Sequence, residues 1–261
     1  MELGLKGKRA VVLGATRGLG RGIADQLAAE GAKVLLCGRS LDRLQAAADE
    51  IAAKGGSAEI LSVDLADEKA AQAIIEAAGQ KLGGVDVLVL NSGGPPAGPT
   101  LGVPSETWSA QFQQMVLRLI ELGSAALPGM QANGWGRVLL IASSGVVQPI
   151  PNLGISNALR ASLVAWAKTV SQEVARDGVT VNVIVPGRIG TERVAELDEG
   201  AAKRSGKSVE EVAAQSRATI PAGRYGSVEE FASVATFLCS APASYVTGSV
   251  IRVDGGLIRS I

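Results

Sequence analysis

The run Gly14-Ala15-Thr16-Arg17-Gly18-Leu19-Gly20 stands between a short apolar segment and a longer amphipathic one. Residues without side chains let a diphosphate approach the backbone closely. A helix opening behind such a loop offers free N–H groups and a partial positive charge to the phosphates. The chemistry these residues point to is nucleotide binding, although a tight strand-to-helix turn without a ligand would use glycine in the same way. Other chemistries are excluded by what is missing. The chain has no histidine, which removes Ser-His-Asp triads, Cys-His dyads and histidine-ligated metal sites. Cys37 and Cys239 are the only cysteines and stand in unrelated contexts, so neither a disulfide scaffold nor any metal site is expected. This usage fits a reducing, cytoplasmic setting.

The loop needs a strand before it and a helix after it, and the chain supplies that pattern repeatedly. Apolar, β-branched runs at 10–13, 34–37, 58–63, 85–91, 137–143, 179–185 and 250–253 alternate with helix-like segments near 18–30, 41–54, 67–82, 105–132, 154–176 and 227–239. The strand runs are continuously apolar, as expected when helices cover both faces of a parallel sheet. Strand and helix in alternation predict an α/β fold, a doubly wound parallel sheet of seven strands. Right-handed crossovers bring the carboxyl ends of the strands to one edge, where ligands bind. Ser227 before Val228-Glu229-Glu230 reads as an N-cap, and Gly31, Gly55 and Gly178 as helix stops. No linker divides the chain, so residues 1–261 form a single domain. Segment 191–224 has no strand; it begins charged, turns helical at 209–218, and reads as a substrate lid.

Composition narrows the partners. Hydrophobic residues make up 47% and charged residues 19%, enough apolar surface for a large core. Lys plus Arg equals Asp plus Glu, 25 each, so no basic surface is available for nucleic acid. The first nine residues lack the basic-then-apolar order of a secretion leader, and no apolar run is long enough to span a membrane.

The Gly-x3-Gly-x-Gly spacing resembles the dinucleotide loop of the short-chain dehydrogenase/reductase family, and the resemblance runs along nearly the whole chain. Asp64-Leu65 resembles the family's adenine contact. Asn91-Ser92-Gly93-Gly94 stands where the family has Asn-Asn-Ala-Gly. Pro186-Gly187-Arg188-Ile189-Gly190-Thr191 resembles the loop that holds the nicotinamide carboxamide, and Gly223-Arg224 and Val253-Asp254-Gly255-Gly256 resemble its late structural motifs. The resemblance implies a Rossmann fold and a cofactor cradle of Gly14, Thr16, Arg17, Gly18, Leu19, Gly20, Arg39, Asp64, Leu65, Asn91, Gly93, Pro186, Gly187, Ile189 and Thr191. An NAD enzyme places an acid at or beside the end of the second strand to bind the ribose hydroxyls. Here the strand ends Leu36-Cys37-Gly38-Arg39-Ser40, with no acid. Arg39 and Arg17 should converge near the adenosine ribose, where two guanidiniums suit a 2′-phosphate. NADP(H) is therefore the preferred cofactor, with NAD(H) as the alternative; both arginines could instead be solvated.

The family's chemistry is hydride transfer between nicotinamide and a carbonyl or alcohol, using serine, tyrosine, lysine and asparagine. A gap-free alignment from Gly136 to Lys168 puts Ser143 on the serine, Ser156 on the tyrosine and Arg160 on the lysine; Met115 falls on the asparagine. The catalytic candidates are thus Ser143, Ser156 and Arg160, an atypical proton-donor site. Serine is a poor acid beside tyrosine, and arginine stays protonated near neutral pH. Two functions follow. One is an NADP(H)-dependent oxidoreductase acting on a small carbonyl or alcohol, most similar to the 3-oxoacyl-carrier-protein reductase group. The other is a weakly active or inactive NADP-binding sensor. The resemblance also implies a homotetramer built on helices 105–132 and 154–176 and on the tail 250–261.

Overall fold

A computed structural model describes residues 2–260; the residues at the two termini, including Ile261 of the expected interface tail, lie outside that range. Seven strands form one parallel sheet in the order β3-β2-β1-β4-β5-β6-β7. The strands are β1 (Arg9–Leu13), β2 (Lys33–Gly38), β3 (Ser57–Ser62), β4 (Val87–Leu90), β5 (Gly136–Ile141), β6 (Val179–Pro186) and β7 (Val250–Val253). The order reverses between β1 and β4, and that switch point opens a crevice at the carboxyl ends of the strands. The central strands are apolar on both faces because helices cover both: Val11, Leu13, Leu88 and Leu90 enter one core, Val12, Val34, Val87 and Val89 the other. The outer strand β3 alternates instead, with Ser57, Glu59 and Ser62 exposed.

The helices are α1 (Gly18–Ala29), α2 (Leu41–Ala53), α3 (Ala70–Leu82), α4 (Ser105–Phe112), α5 (Arg118–Ala132), α6 (Gly154–Val174), α7 (Glu192–Ser205), α8 (Val209–Ala218) and α9 (Val228–Leu238). Gly31, Gly55 and Gly178 take positive φ just past helix ends, as their positions predict. Ser227 caps α9 through a capping box with Glu230. No helix among the described residues is long and apolar enough to cross a membrane.

Three expectations need correction. The helix expected over 105–132 is interrupted by a π-helical turn at Gln113–Leu117, which carries buried Met115 toward the core. The fifth strand ends at Ile141 rather than Ser143; Ala142 still donates to the Ile184 carbonyl (2.9 Å), and Ser143 then caps a short 3-10 turn. The charged start of segment 191–224 is the helix α7. Thr191 caps it by accepting from the Val194 N–H, Lys203 and Arg204 sit in its last turn, and Gly206 ends it in the left-handed region. Only Asp198 and Ala202 are buried on α7, so the periodic apolar signal that reveals other helices is absent.

Candidate active site

The crevice at the carboxyl edge is a cleft of about 980 Å³, and every sequence-predicted site residue except Gly20 lines it. Gly20 acts from behind. A Cβ there would sit 2.5 Å from the Gly14 carbonyl oxygen and 2.7 Å from that of Leu13, so the strand-to-helix turn closes only around a bare α-carbon. Gly14 (φ 63°) and Gly18 (φ 59°) occupy the left-handed region that other residues avoid. Asn91, just past β4, donates from Nδ2 to the Leu13 carbonyl (3.3 Å), and a Cβ on Gly14 would come within 2.6 Å of that nitrogen. The loop is thus braced from β4 and presents the N-terminus of α1 to the cleft, a cradle suited to a diphosphate.

The flanks of this cradle come from the neighbouring strands. Gly38 lets Thr16 pack on the end of β2, because a Cβ there would lie 2.7 Å from Thr16 Cγ2. Asp64 folds onto its own loop, accepting from the Ala66 N–H (3.0 Å), while its residue stays exposed. At the opposite flank Gly187 donates to the Val253 carbonyl (2.9 Å) and Gly190 to that of Gly226 (2.9 Å), which fixes the 186–191 loop against the end of the sheet.

The two arginines proposed for the ribose have different settings. Arg39 is exposed and forms no ion pair among the described residues. Arg17 is engaged by α7: Nη1 donates to Glu192 and Nη2 lies 3.5 Å from Glu196. Arg43, on the first turn of α2, stands 4.0 Å from the same Glu192 oxygen. Sequence reading missed Glu192, Glu196 and Arg43, since no motif marks charges that meet only when α7 folds across the cleft. Arg193 of α7 adds a further tie, donating from Nη2 to the Pro95 carbonyl (3.1 Å). Deeper on the same helix, buried Asp198 accepts from Arg188 (3.0 Å) and from the Tyr225 hydroxyl (2.7 Å).

Ser143, Ser156 and Arg160 all line the cleft. The Ser143 hydroxyl accepts from the Gly145 N–H (3.1 Å), which leaves its own proton free to donate. Ser156 and Arg160 are one turn apart on α6 and buried, 9% and 8% exposed. Arg160 meets no carboxylate among the described residues. It donates from Nη1 to the Ile141 carbonyl (3.2 Å) and from Nη2 to those of Ser92 (3.1 Å) and Gly93 (3.2 Å), clamping the ends of β4 and β5. Burial, and then the positive charge of Arg193, push its guanidinium down to about 10, so it remains charged at neutral pH. No tyrosine or lysine lines the cleft among the described residues: Tyr225 is bound to Asp198 and Tyr245 is fully exposed. Among the described residues no group of three or more His, Cys, Asp or Glu is placed to hold a metal ion.

Fold and cleft together define the class, a doubly wound α/β protein built around a glycine-loop nucleotide crevice. The chain belongs to the short-chain dehydrogenase/reductase family: the family model described as enoyl-(acyl carrier protein) reductase matches residues 14–258. Among curated relatives it is 33% identical over 257 residues to the 3-oxoacyl-(acyl-carrier-protein) reductase FabG of Vibrio cholerae, covering 98% of this chain and 99% of the relative. It is 35% identical over 260 residues to the corresponding protein of Aquifex aeolicus, covering 98% and 100%. Among solved structures, L-sorbose reductase of Gluconobacter frateurii, complexed with NADPH and L-sorbose, superposes with a TM-score of 0.94 at 33% identity over the full length of both chains.

Proposed function

We propose that the chain is an NADP(H)-dependent oxidoreductase that transfers a hydride between nicotinamide and a carbonyl or hydroxyl substrate, in the manner of 3-oxoacyl-carrier-protein reductases. The observation that carries this reading is the glycine cradle at the sheet's switch point, whose bare α-carbons leave backbone N–H groups open to a diphosphate. The absence of an acid at the end of β2, with Arg39 and Arg17 both lining the cleft, favours the 2′-phosphorylated cofactor. NADPH-bound relatives of similar fold support the same choice.

Bound cofactor supplies the hydride; the chain supplies orientation and charge. Ser143 and Ser156 donate hydrogen bonds to the substrate oxygen as negative charge develops there. Arg160 stays protonated behind them, and its charge in a desolvated setting stabilises that oxygen. Without a tyrosine to release a proton, the alkoxide left by hydride addition takes its proton from water entering the open cleft, and the reaction is slower by roughly 10²–10⁴-fold than one with a positioned acid, so readily reduced carbonyls are the favoured substrates. Segment 191–224, with α7 and α8, serves as the substrate lid.

The test is NADPH consumption against a panel of ketones, aldehydes and 3-oxoacyl thioesters. A panel member should be turned over, and Ser143→Ala should lower kcat by about 10–100-fold while the melting temperature falls by only a few degrees, about what loss of its cap to Gly145 costs. NADPH bound without turnover on any member would instead favour the sensor reading, which the lack of tyrosine and lysine in the cleft also supports.

The assembly proposed with this reading is a homotetramer on α4–α6 and β7. Phe112 (40% exposed) and Val250 (43%) leave apolar surface on both. Light scattering should return four times 26.5 kDa; a stable monomer would reject the assembly.

A further inference from the structure

We propose that Glu192 sets cofactor selectivity: its carboxylate stands in for the 2′-phosphate between Arg17 and Arg43, and a phosphorylated ribose must displace it. The inference rests on the proposal that this cleft binds a nicotinamide dinucleotide with its ribose on the Arg17–Arg39 side.

The geometry is that of an internal anion. One oxygen of Glu192, Oε2, accepts from Arg17 and lies 4.0 Å from Arg43 Nη1. Arg17 comes from the glycine loop, Arg43 from the first turn of α2 and Glu192 from the first residue of α7. Three segments far apart in sequence therefore meet on one carboxylate oxygen at the adenosine side of the cleft. Arg39 lines the same cleft and is left without an anionic partner among the described residues.

Charge decides what can replace it. A phosphate monoester carries close to two negative charges at neutral pH and three acceptor oxygens, so it can engage Arg17, Arg43 and Arg39 together. A ribose hydroxyl is neutral and has nothing to offer two guanidiniums that already share a carboxylate. The unphosphorylated cofactor would then bind with Glu192 still in place, whereas the phosphorylated one would release it. All three side chains are about half exposed (45%, 57% and 59%), so the exchange needs only rotamer changes in water-accessible groups. Released Glu192 remains at the N-terminus of α7, where the helix still favours a negative charge. Displacement therefore removes one of the two ties between α7 and the glycine loop without unfolding the helix, and the Arg17–Glu196 pair (3.5 Å) is the other. Thr191, which packs beside Gly18, keeps α7 near the cradle.

The probes are adenosine 2′,5′-bisphosphate and AMP, which differ only in the contested phosphate, titrated calorimetrically into the wild-type chain and Glu192→Gln. The amide keeps the size of the side chain and removes its charge. The bisphosphate should bind about three- to tenfold more tightly to the variant, while AMP stays within about twofold. The difference should shrink in high salt, because the competing pair is exposed. If the wild type prefers the bisphosphate and Glu192→Gln leaves that preference unchanged, or if both probes tighten equally, Glu192 is not the selectivity residue. If the bisphosphate binds no better than AMP in either protein, the 2′-phosphate reading falls together with this one. An unchanged melting temperature for Glu192→Gln separates these outcomes from misfolding.

Discussion

Gly20→Ala is expected to lower NADPH affinity on the order of 10²-fold in a chain that still folds. The added methyl group would sit 2.5 Å from the Gly14 carbonyl oxygen and 2.7 Å from the Leu13 oxygen, and both are backbone atoms with no rotamer to yield. The turn must open, so the first N–H groups of α1 move away from the phosphates. Misplacement of about 1 Å is enough for an effect of that size, because these bonds depend on fixed geometry. The overpacking itself costs about 1–3 kcal/mol, which the two cores on either face of the sheet can absorb. Binding of NADPH to the variant within about threefold of the wild type would show that the cradle does not hold the diphosphate.

Arg160→Met is expected to destabilise the chain by about 3 kcal/mol, lowering the melting temperature by roughly 6–12 °C. Two effects oppose each other. The depressed guanidinium pKa shows that burying the charge is costly, and methionine removes that cost. The buried carbonyls of Ile141 and Ser92 then lose their donor, each at about 1–3 kcal/mol, whereas that of exposed Gly93 can turn to water. With two buried acceptors orphaned at once, the second effect wins. Arg160→Lys should fall between, since an ammonium keeps the charge but cannot span three carbonyls in fixed directions. A melting temperature for Arg160→Met within about 2 °C of the wild type would mean that the clamp contributes little to the fold and that the arginine is kept for the cleft alone.

The different visibility of these residues has physical causes. The glycine loop was legible because its requirement is local: missing side chains, a strand before and a helix after, all within one stretch of sequence. The same holds for the central strands, whose unbroken apolar runs reflect burial on both faces. Arg160 could be placed by aligning its helix with the family pattern, but its partners could not. It binds backbone carbonyls of residues 19, 67 and 68 positions away, and carbonyls leave no mark in a sequence. The α7 helix escaped for a related reason. It is held over the cleft by Arg17–Glu192, Arg188–Asp198 and the Arg193–Pro95 bond instead of by an apolar stripe. The π turn beneath α5 is invisible because its residues are ordinary helix formers, and only the resulting shift of register distinguishes it.

Calorimetric titration of the wild-type chain with NADPH and NADH bears most directly on the cleft as a nicotinamide dinucleotide site. One equivalent of NADPH should bind per chain, about tenfold or more tightly than NADH, with a matching rise in melting temperature. Absence of heat and of any thermal shift with both cofactors would contradict it.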